Sequence, residues 1–312
     1  MKNVLKSAVF VLVLVLLLNL ATVAFFRKNS IKRFGLLNSY KYEIISEEDD
    51  LIDVLVLGDS LVYSSYSPME AWNAYGITSF DCAEPAQVIQ AAYKYLKVAI
   101  EKEHPKIVVM EPNVIFRDIK KRKLKNTLAT DLPRIIPIST YHDMWKKYGF
   151  DGDEAIVSVN KGYTSISRIA PPKKPKSDYM RKNDRFEKIP EGNLDYFTKI
   201  KDLCDEYGAK LMFVSFPTQT SWHDAKHKSA AKVASDYGIE FLDLNLADLG
   251  IDWETETRDG GYHLNNSGAR KVSLYLAKYL LDTGLVVDHR SDGRYSNWNV
   301  AYEKYRKNLE KS

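Results

Sequence analysis

The chain has 312 residues, 45% hydrophobic and 28% charged, with 15 Gly and 11 Pro. These values exclude collagen-like, coiled-coil and largely disordered chains and leave material for one large core with attachments. The net charge is +4, but residues 1–33 carry +6 and the remainder −2, so the globular part lacks the broad basic footprint of a nucleic-acid binder.

The chain opens with a short flank, 1–7, and then Ala8 to Phe26 runs nineteen residues without a charge, with only Asn19 and Thr22 polar. At about 1.5 Å per residue this nearly spans a hydrocarbon core, so a transmembrane helix or signal anchor is expected over 8–26. A cleaved signal peptide competes, since Lys2 and Lys6 form a basic start and Ala21 and Ala24 are small, but the apolar run exceeds the usual 7–15 residues. Basic residues flank the run on both sides, so charge counting leaves the orientation open.

Residues 27–50, ending in Glu47-Glu48-Asp49-Asp50, read as a solvated linker to a domain over 51–312. IDVLVLGDS (52–60) is a buried strand ending in a glycine turn, 85–103 carries apolar residues at helical spacing, and KIVVMEPN (106–113) is a second strand. Between about 115 and 190 the rhythm fails. Basic runs there (Arg117, Lys120–Lys123, Lys125 and Lys173–Lys176) read as an insertion with solvated charge. Then follow a helix over 193–207, a strand KLMFVSFP (210–217), a helix around 223–236, a strand IEFLDL (239–244) and a closing helix from Gly268 to Leu281. Short apolar strands alternating with helices imply an α/β fold, a parallel sheet covered on both faces. The tail from Arg294 to Tyr305 is expected to fold back as an amphipathic helix.

Two cysteines, Cys82 and Cys204, exclude a disulfide-rich scaffold and a four-cysteine zinc site; one disulfide and two buried thiols stay open. Of six histidines, His104, His142, His223, His227 and His289 read as structural. His223 and His227, four apart on a helix, would need acids beside them to hold a metal.

Chemistry concentrates in two places. Gly58-Asp59-Ser60-Leu61 closes the first strand, where ligands bind in open α/β sheets, and a following helix would aim backbone N–H groups at developing negative charge. Asp259-Gly260-Gly261-Tyr262-His263-Leu264-Asn265 stands just ahead of the last helix. A histidine can take a serine's proton, and a carboxylate can fix the imidazole tautomer and stabilise its charged form. Tyr63, Tyr66 and Trp72 could offer flat faces to a sugar, though ordinary packing is the expectation for them.

The Gly-Asp-Ser-Leu start, the late Asp…His cluster and the strand-end Asn113 together resemble the SGNH (GDSL-type) hydrolase family, over about 50 to 285. The resemblance implies a three-layer α/β/α sandwich with a central parallel sheet, flavodoxin-like. It also implies Ser60 as nucleophile, Asp259 and His263 as acid and base, and an oxyanion hole from Ser60, Ala83 and Asn113. The chain departs from the family in three ways. Ala83 in FDCAEPAQ (80–87) stands where a glycine is usual. Asn113 lies in Glu-Pro-Asn-Val rather than Gly-x-Asn-Asp. Asp259 and His263 are four apart rather than three, an extra residue that Gly260 and Gly261 could absorb.

With the anchor, the resemblance implies a single-pass cell-membrane protein with its domain outside the cytoplasm. It would hydrolyse O-acyl, chiefly O-acetyl, esters on envelope glycans through an acyl-serine, with no metal or cofactor. The alternatives are transfer to an envelope polymer beside a membrane acyl-transfer partner, as in proteins of teichoic-acid D-alanylation or polysaccharide O-acetylation, and a non-catalytic binding or assembly role.

Overall fold

The computed structural model describes residues 2–25, 44, 47–118, 159–174 and 178–310, the side chains of the first helix over 5–20 only. The chain divides into two compact units, Met1–Ser46 with Lys120–Val157, and Glu47–Ile119 with Ser158–Ser312.

In the first unit an unbroken helix, α1 (Lys2–Phe25), forms. Its one strongly polar side chain in the apolar run, Asn19, satisfies its amide on the Val15 carbonyl at 2.8 Å. The described side chains span about 24 Å of helix axis, with Phe10, Leu12 and Leu16 exposed. Among the described residues no helix is long and apolar enough to cross a membrane.

The second unit is built on five parallel strands: β1 (Val54–Gly58), β2 (Ser79–Ala83), β3 (Ile107–Met110), β4 (Lys210–Ser215) and β5 (Glu240–Asp243), in the order β2-β1-β3-β4-β5. Four of these lie where apolar runs place them. β2 was not expected, because Ser79 and Asp81 interrupt its apolar pattern. It forms nonetheless, as an edge strand in register with β1 from Val54↔Ser79 to Gly58↔Ala83.

Helices α2 (Val62–Ser65), α3 (Pro68–Tyr75) and α7 (Asn266–Asp282) pack together on one face. Val54, Val56, Val109, Met212 and Val214 meet Leu61, Val272, Leu276 and Leu280 there, all buried. On the other face lie α4 (Ile89–Glu103), α5 (Asn193–Glu206) and α6 (Asp224–Asp236), with Phe213 against Phe197 at 5.1 Å and Phe241 against the His227 ring at 5.4 Å. The three-layer expectation is met. The tail returns as α8 (Ser296–Leu309), burying Trp298, Ala301 and Tyr305; Trp298 sits 5.5 Å from Trp72. Trp72 and Tyr66 are therefore core residues, Tyr66 bonded to Ser79 Oγ at 2.9 Å.

Two expectations about the periphery change. The acidic run is held by the domain: Glu47 pairs with Lys161, Glu48 accepts from Asn297 at 2.7 Å, Asp49 pairs with Lys102, and Asp50 meets His104 at 2.6 Å. Only the Glu47 side chain is withdrawn from water by its partner; Glu48, Asp49 and Asp50 stay exposed, as a solvated run would. Within the insertion, Lys120 to Lys125 and His142 lie outside the described residues. Its later part is laced into the domain, with Thr164 N–H donating to the Tyr63 carbonyl at 2.8 Å and Ala170 N–H to that of Thr257 at 2.8 Å. Cys82 and Cys204 are both free and buried.

Candidate active site

The strand order reverses direction between β1 and β3, so their carboxyl ends form the switch point where open α/β sheets take ligands. Ser60 lies two residues past β1. Gly58 makes the exit possible: a Cβ there would collide with the Val62 side chain and stand 2.7 Å from Glu111 Cβ on β3's extension. Asp59 then ties the turn, its Oδ1 accepting from Leu61 N–H at 2.8 Å and its Oδ2 pairing with Arg117. The short α2 follows at once and presents Ser60 at its start.

The second cluster closes on this serine. Ser60 Oγ is 2.7 Å from His263 Nε2, and His263 Nδ1 is 2.5 Å from Asp259 Oδ2. Asp259 is used twice, because its Oδ1 also accepts from the His263 backbone N–H at 2.7 Å. The extra residue between them is absorbed as the spacing allows. Gly260 and Gly261 both take positive φ, 79° and 83°, a region open to glycine at no steric cost. Thr257 Oγ1 supports the loop by accepting from Gly261 N–H at 2.9 Å and donating to the His263 carbonyl at 2.9 Å. Asn265 caps α7 behind it, accepting from Ser267 N–H at 3.1 Å.

Electrostatics favour this arrangement. Burial pushes the Asp259 carboxyl up, but the hydrogen bonds from His263 outweigh it, and the net shift is downward, keeping the group charged. Glu111 is pushed far up, first by burial and then by the Asp59 charge. Tyr63, half-buried with its hydroxyl next to Ser60, is raised by burial against the pull of Arg258 and the Ser60 hydrogen bond. Tyr262 covers the imidazole edge-on, with ring centres 4.1 Å apart.

Ala83 and Asn113 flank the nucleophile strand. Ala83 ends β2 opposite Gly58, and Asn113 stands in a 3-10 turn (Pro112–Phe116) beyond β3, its N–H donating to Glu111 Oε1 at 2.9 Å. Asn113 Oδ1 accepts from Lys226 Nζ at 2.6 Å, and its Nδ2 donates to no group among the described residues.

Arg117, read from sequence as one of the insertion's solvated charges, is instead the partner of Asp59 beside the nucleophile. Glu111 and Lys226 were not singled out, and nothing in their local sequence marks them. The other described histidines each face an acid elsewhere: His227 meets Asp243 at 2.7 Å, His289 meets Asp53 at 2.6 Å, and His223 stands 3.8 Å from Glu187. No group of three or more His, Cys, Asp or Glu converges among the described residues as a metal site would require.

The arrangement defines a serine–histidine–aspartate relay able to take an alcohol proton and stabilise the resulting imidazolium. Among solved structures, the chain is similar to a psychrotrophic esterase from Pseudoalteromonas sp., at 10% identity and TM-score 0.39 over 73% of this chain and 98% of that one. It is similar to a GDSL-like lipase from Bacteroides thetaiotaomicron, at 11% and 0.35 over 74% and 88%. It is also similar to a lipase/acylhydrolase from Enterococcus faecalis, at 14% and 0.34 over 77% and 100%. No family model and no curated protein matches the chain.

Proposed function

We propose that this chain is a serine esterase of the SGNH type, and the observation that carries the reading is the continuous hydrogen-bonded series from Ser60 Oγ through His263 to Asp259. Ser60 Oγ attacks the ester carbonyl carbon while its proton passes to His263 Nε2. The carbonyl oxygen becomes an oxyanion facing the Ser60 and Ala83 N–H groups and Asn113 Nδ2. Collapse of the adduct expels the alcohol, which leaves with the proton from Nε2. Water then attacks the acyl-serine, gives its proton to Nε2, and the acid departs as Ser60 regains its hydrogen. Asp259 keeps the Nδ1 proton in place throughout and balances the transient positive charge.

A fluorophosphonate probe tests this. Labelling at Ser60 is expected to vanish in Ser60→Ala and to fall strongly in His263→Ala; a folded wild-type protein that does not label would leave the binding or assembly reading instead.

The proposed substrate is an O-acetyl ester on a cell-envelope glycan, with α1 holding the domain at the outer face of the cell membrane. The uncharged run 8–26 and the exposed apolar side chains of α1 support the anchor. The resemblance of the Gly58–Leu61 and Asp259–His263 blocks to SGNH hydrolases, taken together with the anchor, supports the substrate. Retention of the full chain in alkaline-washed membranes is expected. Acetate release from an acetylated glycan, with and without an added hydroxyl acceptor, separates hydrolysis from transfer.

A further inference from the structure

Lys226 occupies the third position of α6, close to the positive end of the helix dipole, where a cation is disfavoured. It is half-buried, and burial pulls its ammonium below the ordinary lysine value while Glu111 and Glu187 pull it back up. No carboxylate pairs with it among the described residues. Its contacts are Asn113 Oδ1 at 2.6 Å, the Ser221 carbonyl at 2.7 Å and the Phe116 ring, 5.6 Å away. A cation placed against the dipole, partly withdrawn from water and with no carboxylate in direct contact among the described residues costs stability, so the contact with Asn113 calls for a reason.

The chemistry of the pair supplies one. A carboxamide can sit either way round, and its orientation is set by its partners. An ammonium has three donors and no acceptor, so only Oδ1 can face it, and Nδ2 must face the other way. Glu111 fixes the backbone beneath by accepting the Asn113 N–H. Drawing electron density toward Oδ1 also makes the Nδ2 hydrogens better donors.

We propose that Lys226 is a positioning residue that locks the Asn113 carboxamide with its N–H groups toward the oxyanion. This inference rests on Ser60 being the nucleophile and Asn113 an oxyanion donor. Lys226 touches no reacting atom; it acts through Asn113.

The side chain at 226 can be made to favour, release or reverse the amide. With p-nitrophenyl acetate as probe, Lys226→Arg keeps a donor-only partner and should retain kcat within about fivefold. Lys226→Met releases the amide and should lower kcat about 10- to 100-fold with KM within about twofold, less than the roughly 100- to 1,000-fold typical of deleting such a donor. Lys226→Glu draws Nδ2 toward itself, turns Oδ1 to the oxyanion, and should fall below Met. Equal melting temperatures of the Met and Arg variants guard against misfolding. Should Met unfold, Lys226→Gln, which can offer either a donor or an acceptor, is expected between Arg and Glu. Met within twofold of wild type, or Glu no worse than Met, overturns the proposal. If the wild type neither turns over nor labels, the esterase reading fails. The Asn113 side-chain amide resonance, assigned by its loss in Asn113→Ala, then decides the contact alone: an amide nitrogen shift in Lys226→Met supports it, and none refutes it.

Discussion

Asp259 accepts from both the backbone N–H and the Nδ1 of one histidine, so it fixes the imidazole's position and its tautomer together. In Asp259→Asn an amide N–H facing Nδ1 would force the proton onto Nε2, where it blocks acceptance from Ser60. The expected loss in kcat is roughly 10³- to 10⁴-fold, with KM little changed, measured on any soluble acetyl ester. Asp259→Ala removes the anchor without imposing the wrong tautomer and should lose less; an equal or greater loss would mean the carboxylate serves mainly to hold the loop. A second residue, Asp81, is buried in β2 with neither carboxyl oxygen hydrogen-bonded among the described residues, and burial pushes it far above the usual carboxylate range. A raised carboxyl binds its proton more tightly when folded, so this group lowers stability as pH climbs from about 4 toward its folded value. Asp81→Asn should stabilise the domain at pH 8 by about 1–3 kcal/mol in urea unfolding and do little at pH 4. The same side chain explains why β2 was illegible in the sequence: a desolvated acid breaks the apolar run that reveals the other four strands.

At the scale of elements, the join of β1 to α2 carries the nucleophile, and it depends on a close approach. Gly58 leaves room for Val62 on one side and Glu111 on the other, and a methyl group there would stand 2.7 Å from Glu111 Cβ. Gly58→Ala should therefore separate β1 from the β3 extension at the site itself. Overpacking of this kind costs about 1–3 kcal/mol, and the displaced Ser60 should lose fluorophosphonate reactivity more steeply than the melting temperature falls. A variant that melts early yet labels at the wild-type rate would show that the join tolerates strain. Both halves of this element were readable, because Gly-Asp-Ser-Leu follows a run of buried β-branched residues. So was the last block, since two glycines beside an acid and a histidine supply the flexibility that four-residue spacing needs. Lys226 was not, because a lysine in a helix's first turn has no periodicity or motif to mark it. Its meaning comes only from β3 bringing Asn113 alongside.

Across the whole domain, the least expected contact is the burial of the Glu47 side chain, at the head of an acidic run whose other members, Glu48, Asp49 and Asp50, stay exposed to solvent. Glu47 and Lys161 have side chains only 6% and 2% exposed, and Lys161 lies 4.6 Å above the Trp298 ring of the returning tail. The segment before β1, the insertion and the C-terminal helix thus meet at one buried ion pair. Removing one partner of such a pair leaves a charge without water or counter-ion, which typically costs about 3–5 kcal/mol. Glu103 adds a pH term at the same place. Burial raises its carboxyl to about 7, against the pull of Lys102 and the Leu51 N–H and with the push of Glu47. Because the folded value lies above the ordinary 4.5, the stability linked to this group is complete below about pH 4.5 and declines as pH rises through 7. Urea unfolding at pH 5 and pH 8 should accordingly show a fall that Glu103→Gln flattens. A domain begun at residue 51 should be weaker than one begun at residue 47 by several kcal/mol, about as much as Glu47→Gln at the same pH. Equal stability of the two truncations would return the acidic run to the status of a tether.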